Sequence, residues 1–217
     1  MLSPKHIFLP FLLLIGVVSA EESMVDMALL KELLERREQH SYIHASVVQE
    51  KQVPSIAEKL VTRGKVWMVP NKSFRWELGN PVTDMAILKE DRVFLYDLKN
   101  LTYEKHKSSS RSVRPIMLLL GIGKQGGYVG LLDSFKPVSG VLNDDEYKVT
   151  FLPDSSIMKR ALSELTITFT LENAFPKEVM WLQTDGTTIL TKFTNPSFRA
   201  FPEQEIFALP DEGFVKK

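Results

Sequence analysis

Residues 64–81 read Gly-Lys-Val-Trp-Met-Val-Pro-Asn-Lys-Ser-Phe-Arg-Trp-Glu-Leu-Gly-Asn-Pro. Val, Trp and Phe are concentrated on either side of a short polar connection, which is typical of two half-buried β-strands joined by a turn. A connection this short forces the two strands to be antiparallel, because a parallel crossover needs a dozen or more residues. The stretch therefore predicts an antiparallel hairpin.

The same pattern extends outward in both directions. Short segments rich in β-branched and aromatic residues follow one another, with turn residues such as Glu90-Asp91 and Lys99-Asn100 between them. We expect an α+β fold with one large antiparallel sheet of about eleven strands. The predicted strands are 43–52, 60–69, 73–79, 84–90, 92–98, 101–107, 146–153, 162–172, 176–184, 187–195 and 204–209.

Helices are predicted at two places. Residues 24–39 form the first, with Ser23 as its N-cap. Two short apolar helices, 115–120 and 128–135, interrupt the strands and are separated by several glycines. The apolar stripe of the first helix contains Met24, Met27, Ala28, Leu30, Leu33 and Leu34, and its polar face contains Lys31, Glu32, Glu35, Arg36 and Glu38.

The composition excludes several classes of protein. The 217 residues carry 27 basic and 27 acidic side chains, whereas a protein that grips a nucleic-acid backbone normally has a basic excess. We therefore expect no nucleic-acid partner. The sequence also has no cysteine, which rules out zinc fingers, thiol catalysis, disulfide scaffolds and lipid attachment to cysteine.

Residues 1–20 have the features of a secretory signal peptide. Lys5 precedes an apolar run over 7–18, and Val18-Ser19-Ala20 is typical of a signal-peptidase site. The run is shorter than the roughly 20 apolar residues that span a bilayer. We expect residues 1–20 to be removed, leaving residues 21–217 as one domain in the periplasm without a lipid anchor.

The sequence motifs do not support catalysis or a bound metal. Residues 121–126 match the glycine pattern of a dinucleotide site, but they are not part of a βαβ unit. His40 and His44 are four residues apart, yet the predicted helix changes to a strand between them. A Gly-x-Ser-x-Gly elbow is absent from the sequence. We expect no cofactor, no metal site and no enzyme activity.

The predicted strands carry many large apolar side chains for one sheet. These side chains could fill a sandwich core or line a cavity. Only about three helices cover the strands, and the interrupting helices are apolar and hinged by glycine, which favours a cavity with a lid. The predicted cavity residues are Trp67, Val69, Phe74, Trp76, Met85, Ile87, Phe94, Tyr96, Val149, Phe151, Ile167, Phe169, Met180 and Leu182, and the predicted lid residues are Ile116, Met117, Leu118, Leu119, Leu120, Leu131 and Leu132.

Two stretches resemble the LolA family of periplasmic lipoprotein carriers. Residues 64–81 show the family's glycine, apolar strand, proline turn and Phe-x-Trp, and residues 87–97 are similar to its aromatic Tyr-Asp strand. The order of predicted elements agrees with the family over nearly the whole mature chain. The resemblance implies an unclosed β-barrel whose apolar interior, capped by helices, shelters acyl chains.

The resemblance also implies a function without chemistry. Such a carrier takes acylated lipoproteins from an inner-membrane transporter and delivers them to an outer-membrane receptor; we expect a monomer. Phe74 and Trp76 would be cavity wall, with residues 115–120 as the lid. The family commonly has a basic residue beside the proline of the turn, where Val69 stands here. This departure implies that the lid is controlled differently.

Other functions stay open. The missing basic residue favours a LolA-like accessory protein that binds another lipid or a glycolipid in an export pathway. Regulatory sensors with a related half-barrel typically carry a second domain, which this length does not accommodate. A hydrolase has the least support from the residues.

Overall fold

The chain forms one twelve-stranded sheet with a helix packed on one side. The computed structural model describes residues 24–110, 113, 117, 127–156, 158–198, 204–210 and 213–217. The strands are β1 (Ile43–Gln52), β2 (Leu60–Val69), β3 (Ser73–Gly79), β4 (Val82–Lys89), β5 (Arg92–Asp97), β6 (Thr102–Lys107), β7 (Phe135–Asn143), β8 (Glu146–Pro153), β9 (Leu162–Thr170), β10 (Pro176–Gln183), β11 (Thr188–Ser197) and β12 (Val215–Lys216).

The sheet is not closed into a barrel. Its strand order is β12-β6-β5-β4-β3-β2-β1-β11-β10-β9-β8-β7, so β12 and β7 are its edges. Neighbouring strands pair antiparallel, except that β12 runs parallel to β6. The pairing of β1 with β11 joins the first and second groups of strands into one sheet. The predicted unclosed, mostly antiparallel barrel is therefore confirmed.

The strand predictions need three corrections near the ends of the sheet, one of which is the edge strand β12, which the sequence analysis does not predict. The sequence predicts a strand over 204–209, but Gln204–Phe207 is a 3-10 helix. The predicted helix over 128–135 is α2 (Gly127–Leu132), and β7 begins directly after it at Phe135. Pro137 lies inside β7, where it obscures the strand pattern, but an edge strand tolerates a proline beside a register shift.

The first helix, α1 (Met27–Glu38), lies within the range predicted for it. Its N-cap is Asp26, whose carboxylate accepts hydrogen bonds of 3.0 Å from the backbone N–H groups of Ala28 and Leu29. The predicted N-cap Ser23 lies outside the described residues. The cap is a carboxylate at the positive end of the helix dipole, where negative charge is favourable.

The turn between β4 and β5 has the geometry that the sequence predicts. Glu90 and Asp91 both have positive φ values, 50° and 59°, as in the two-residue turns that match the twist of a hairpin. The turn pairs Lys89 with Arg92 and so fixes which residues of β4 and β5 share a face. Register of this kind decides where each predicted site residue lies.

Two predicted segments lie mostly or wholly outside the described residues. They are the signal peptide, residues 1–20, and the first part of the lid, including Ile116, Leu118, Leu119 and Leu120. In the part of the chain that the structure covers, no helix has the length and apolar character needed to cross a bilayer.

Candidate functional site

The two faces of the sheet have different surroundings. Successive side chains of a strand point to opposite faces. One face, which we call the helix face, packs against α1, whose Leu30, Leu33 and Leu34 are fully buried in the same apolar cluster as the sheet. We call the opposite face the outer face.

Six of the fourteen predicted cavity residues lie on the helix face. Phe74 of β3 stands opposite Met68 of β2 and Leu88 of β4, and all three belong to the cluster that contains the α1 leucines. The pairing of β8 with β9 likewise joins the predicted residues of those two strands on this face. Their binding of a ligand stays a prediction. The six are Phe74, Trp76, Val149, Phe151, Ile167 and Phe169.

The other eight predicted cavity residues lie on the outer face, so the fourteen do not form one surface. Trp67 lies between Val66 and Met68, which both belong to the helix face, and its ring stacks on His44 with centroids 5.2 Å apart. The predicted cavity lining is corrected at these positions, because a strand presents only alternate residues to one face. The eight are Trp67, Val69, Met85, Ile87, Phe94, Tyr96, Met180 and Leu182.

Four of these eight residues form a separate apolar cluster, which we call the outer cluster. The C-terminal segment covers it, with Leu209 and Phe214 packed against it. The rings of Tyr96 and Phe214 meet edge to face with centroids 5.0 Å apart. Burial raises the pKa of the Tyr96 phenol. The outer cluster is thus filled by the chain itself, and its members are Met85, Ile87, Phe94 and Tyr96.

Several helix-face residues were missed by the sequence reasoning. The turn at 70–72 offered a signal, because it pairs Val69 with Ser73 and so places Met68 on the face of Phe74. The pairing of each strand with the next shows in the same way which of its residues lie on the helix face. The missed residues include Ile43, Ala45, Val47, Val66, Met68, Leu88, Val93, Val179, Trp181 and Phe193.

Hydrogen bonds hold α1 over the helix face near both of its ends. At its start, the Tyr147 hydroxyl of β8 accepts a hydrogen bond of 2.8 Å from the backbone N–H of Asp26. At its end, Arg36 Nη2 donates a hydrogen bond of 2.7 Å to the carbonyl oxygen of Glu172, between β9 and β10. Between these points the apolar stripe of α1 faces the sheet.

The described lid residues also belong to the helix face. Met117 and Leu131 are 5% and 3% exposed and lie in the cluster with the sheet and α1. Leu132 packs against the same cluster and is partly buried. These three residues therefore lie with α1 over part of the apolar surface of the sheet.

Arg37 is the only charged side chain that is buried among the described residues. It continues the α1 stripe at helical spacing from Leu33 and Leu34, so it lies on the side of the helix that meets the sheet. Burial lowers its pKa to about 10, and Glu38 acts in the opposite direction. The spacing of the stripe places Arg37 on the buried side of α1, although an arginine is normally exposed.

The outer face carries a polar hollow of about 310 Å³ on its β7–β11 half. Thr166 and Thr168 are buried there, and the Lys177 ammonium pairs with the Glu146 carboxylate. Met180, one of the predicted cavity residues, lies in this hollow. The polar lining makes the hollow unsuited to hydrocarbon.

His40 and His44, the pair considered for a metal, have separate surroundings. His40 Nε2 lies 2.8 Å from the carbonyl oxygen of Asn173, and its ring stacks on Phe198. His44 instead stacks on Trp67 on the outer face, where burial, followed by the charge of Lys65, lowers its pKa. Within the described ranges, no group of three or more His, Cys, Asp or Glu residues could hold a metal.

The sequence profile of the family described as outer membrane lipoprotein carrier protein LolA matches residues 38–210. The chain belongs to the LolA family. No curated protein matches the sequence.

Three solved structures are similar to this chain at low sequence identity. An uncharacterised conserved protein from Thermus thermophilus is similar with a TM-score of 0.55 and 12% identity, over 87% of this chain and 99% of that one. A LolA superfamily protein from Nitrosomonas europaea has a TM-score of 0.44 and 10% identity, over 82% and 96% of the two chains. The Mycobacterium tuberculosis lipoprotein LppX has a TM-score of 0.42 and 12% identity, over 81% of this chain and 96% of that one.

Proposed function

We propose that this LolA family member is a periplasmic carrier that shields acyl chains between the helix face and its cover. The observation that carries the proposal is the extent of the apolar face relative to α1. A helix of twelve residues is about 18 Å long, whereas twelve strands spaced about 4.8 Å apart extend over roughly 50 Å around the sheet. The apolar face is therefore too long for α1 alone to cover, and lid residues such as Met117 and Leu131 lie over it as well.

The free energy of hydration explains why an acylated cargo needs such a surface. Each buried methylene contributes about 0.8 kcal/mol, so a 16-carbon chain exposed to water costs on the order of 12 kcal/mol. Desorption of the chain from a membrane without a carrier would be correspondingly slow. An apolar face under a cover that separates and closes lowers that barrier and still releases the cargo.

The cargo that we propose is an acylated lipoprotein, in keeping with the description of the family as an outer membrane lipoprotein carrier. The protein would receive it from an inner-membrane transporter and pass it to an outer-membrane receptor, without catalysing a reaction. We propose that residues 21–217 do this as one domain after removal of residues 1–20. Phe74, Trp76 and the other four predicted residues of the helix face would contact the acyl chains.

The test places the same substitution on each face of the sheet. Leu95 of β5 is partly buried and packs against the helix-face cluster, whereas Leu190 of β11 lies beside the polar hollow of the outer face. We expect Leu95→Gln to weaken uptake of a fluorescent acyl probe about tenfold, because it places an amide where hydrocarbon would bind. Leu190→Gln should leave uptake unchanged.

Thermal unfolding of both variants checks that each remains folded at the temperature of the uptake measurement. Native mass spectrometry of protein purified from the periplasm would identify a bound lipid or lipoprotein. Wild-type protein that carries no ligand and takes up no acyl probe would overturn the proposed function. Equal losses of uptake in the two variants would overturn the assignment of binding to the helix face.

A further inference from the structure

The apolar stripe of α1 ends in a cation. Leu30, Leu33 and Leu34 are fully buried, and Arg37, one turn further along the same side, is only 5% exposed. Residues three and four apart on a helix are neighbours on its surface, so the Arg37 side chain leaves α1 on the side that faces the sheet. An arginine in this place puts a charge beside the surface that we propose for acyl chains.

No carboxylate pairs with Arg37 in the part of the chain that the structure describes. Two other arginines, unlike Arg37, do form ion pairs. Arg36 pairs with Glu32 at 3.4 Å on the surface of α1, and Arg75 pairs with Glu77 at 2.6 Å on β3. The Arg37 guanidinium makes neither an ion pair nor a hydrogen bond to a described residue. A buried charge is normally paired, because its removal from water is costly.

The carbonyl end of α1 supplies only part of the missing negative charge. Arg37 lies in the last turn, where the helix dipole favours a cation. The carbonyl oxygens of Arg36 and Arg37 already accept hydrogen bonds from the backbone N–H of Gln39. Although burial lowers the pKa of Arg37 to about 10, the side chain still carries its charge at neutral pH. Among the described carboxylates, Glu38 acts on this charge from the neighbouring position, and none forms an ion pair with it.

We propose that Arg37 binds the anionic head group of an acyl ligand whose chain lies on the helix face. This inference rests on the proposed acyl-binding face but goes beyond the proposed cargo, because the ester- and amide-linked chains of an acylated lipoprotein carry no charged end group. The ligand class that it names is a free lipid whose hydrocarbon chain ends in an oxyanion, either a carboxylate or a phosphate. A guanidinium donates paired hydrogen bonds to either group. A ligand that is acylated but neutral would leave Arg37 without its counter-charge.

Paired probes separate the head group from the chain. A fluorescent fatty acid is compared with its methyl ester, and a long-chain alkyl phosphate with the corresponding alcohol. We expect the wild-type protein to bind at least one anionic probe about tenfold more tightly than its neutral partner, since hydrogen bonds to a charged group are the strong ones. The acid–ester and phosphate–alcohol arms show which oxyanion is preferred.

Arg37→Leu continues the apolar stripe and should abolish this preference, while affinity for the neutral probes is retained. Arg37→Lys keeps the charge and should keep most of the preference. The matched control is Lys31→Leu on the exposed side of α1, which should leave the preference unchanged. Without ligand, we expect Arg37→Leu to unfold at the same temperature as the wild type or at a higher one, because it removes an unpaired buried charge.

The outcomes distinguish the two proposals. If the wild-type protein binds acids and esters, phosphates and alcohols equally well, the head-group site is overturned but the acyl carrier stands. If none of the probes binds, the proposed function itself fails. If Arg37→Leu lowers the unfolding temperature and keeps the anionic preference, Arg37 has only a structural role.

Discussion

The helix face and the outer face are built from alternate residues of the same strands, yet they have opposite character. On the helix face, buried apolar side chains run from β1 to β5 and from β7 to β11 in one cluster. The outer face has buried threonines, such as Thr166 and Thr168, and ion pairs, such as Lys192 with Glu50 at 3.0 Å. Its apolar residues are concentrated in the outer cluster on β4 and β5. Among the described residues, the broad apolar surface is the helix face.

The covers of the two faces are attached in different ways. The segment over the outer cluster joins the sheet through backbone hydrogen bonds from Val215 to Leu101 and from Lys217 to Tyr103. In contrast, α1 is not a member of the sheet; apolar side chains and hydrogen bonds near its ends hold it. We expect the α1 cover to separate from its face more readily, because no strand pairing has to be broken.

The largest expected effect in this comparison is the loss of an aromatic side chain from the helix face. Phe169 of β9 is fully buried in the helix-face cluster. We expect Phe169→Ala to lower the free energy of unfolding by about 3–5 kcal/mol through lost burial and a residual cavity. Urea unfolding followed by tryptophan fluorescence measures the change.

The control for this prediction is Leu190→Ala on the outer face. Leu190 is only partly buried, and we expect its loss to cost less than about 1 kcal/mol. Similar losses for the two variants would show that the helix face is no more tightly packed than the outer face. The contrast drawn between them would then be wrong.

A smaller effect is expected from the cover of the outer cluster. Phe214 packs against Tyr96 and is partly buried, so Phe214→Ala should cost roughly 1–2 kcal/mol. The variant should also bind more of a hydrophobic dye, because the outer cluster loses its cover. Uptake of an acyl probe should not change, since the helix face is untouched.

Val215→Ala serves as the control for Phe214→Ala, since the Val215 side chain is 68% exposed while its backbone hydrogen bond is retained. We expect this variant to match the wild type in stability and dye binding. A fall in acyl uptake upon Phe214→Ala would mean that the ligand lies on the outer face, and the assignment of the two faces would have to be reversed.

The architecture was accessible from the sequence because local chemistry determines it. The turn pair Glu90-Asp91 separates β4 from β5 to within one residue of the predicted boundary, and the α1 stripe is visible at helical spacing. β7 was not predicted from the sequence, because Pro137 and Gly140 are unfavourable in most strands but acceptable at a sheet edge. The position of a strand within the sheet is a tertiary property that its own residues do not reveal.

The site residues were harder to predict from the sequence, because the face on which a strand residue lies depends on the register of the strand. Trp67 and Phe74 are equally aromatic and close in sequence, yet they point to opposite sides of the sheet. A shift of one residue in register exchanges the two faces, so large apolar residues alone cannot identify the helix face. Arg37 was missed for another reason: a charged residue is expected at the surface, and its burial depends on the contact of α1 with the sheet.

The smallest expected effect is the contribution of the outer-face ion pairs to stability, which depends on pH. Glu50 accepts hydrogen bonds from Lys192 at 3.0 Å and Lys59 at 3.4 Å, and the bond from Lys192 is the main reason why its pKa is lowered. The pKa of Glu50 in the folded protein lies below its unfolded value of about 4.3. The ionised Glu50 carboxylate therefore stabilises the fold at pH values above that unfolded pKa. This stabilisation is lost as the pH falls through the folded pKa.

Glu50→Gln should therefore lower the unfolding temperature slightly at pH 7, and it should lose less stability than the wild type as the pH falls below about 4.3. Thermal melts between pH 7 and pH 3 measure both effects. Lys192→Gln should reduce the same acid dependence, and the double variant should add little to either single change, since the two residues form one pair. Strictly additive effects would show that the pair contributes nothing, leaving the buried threonines as the main polar feature of the outer face.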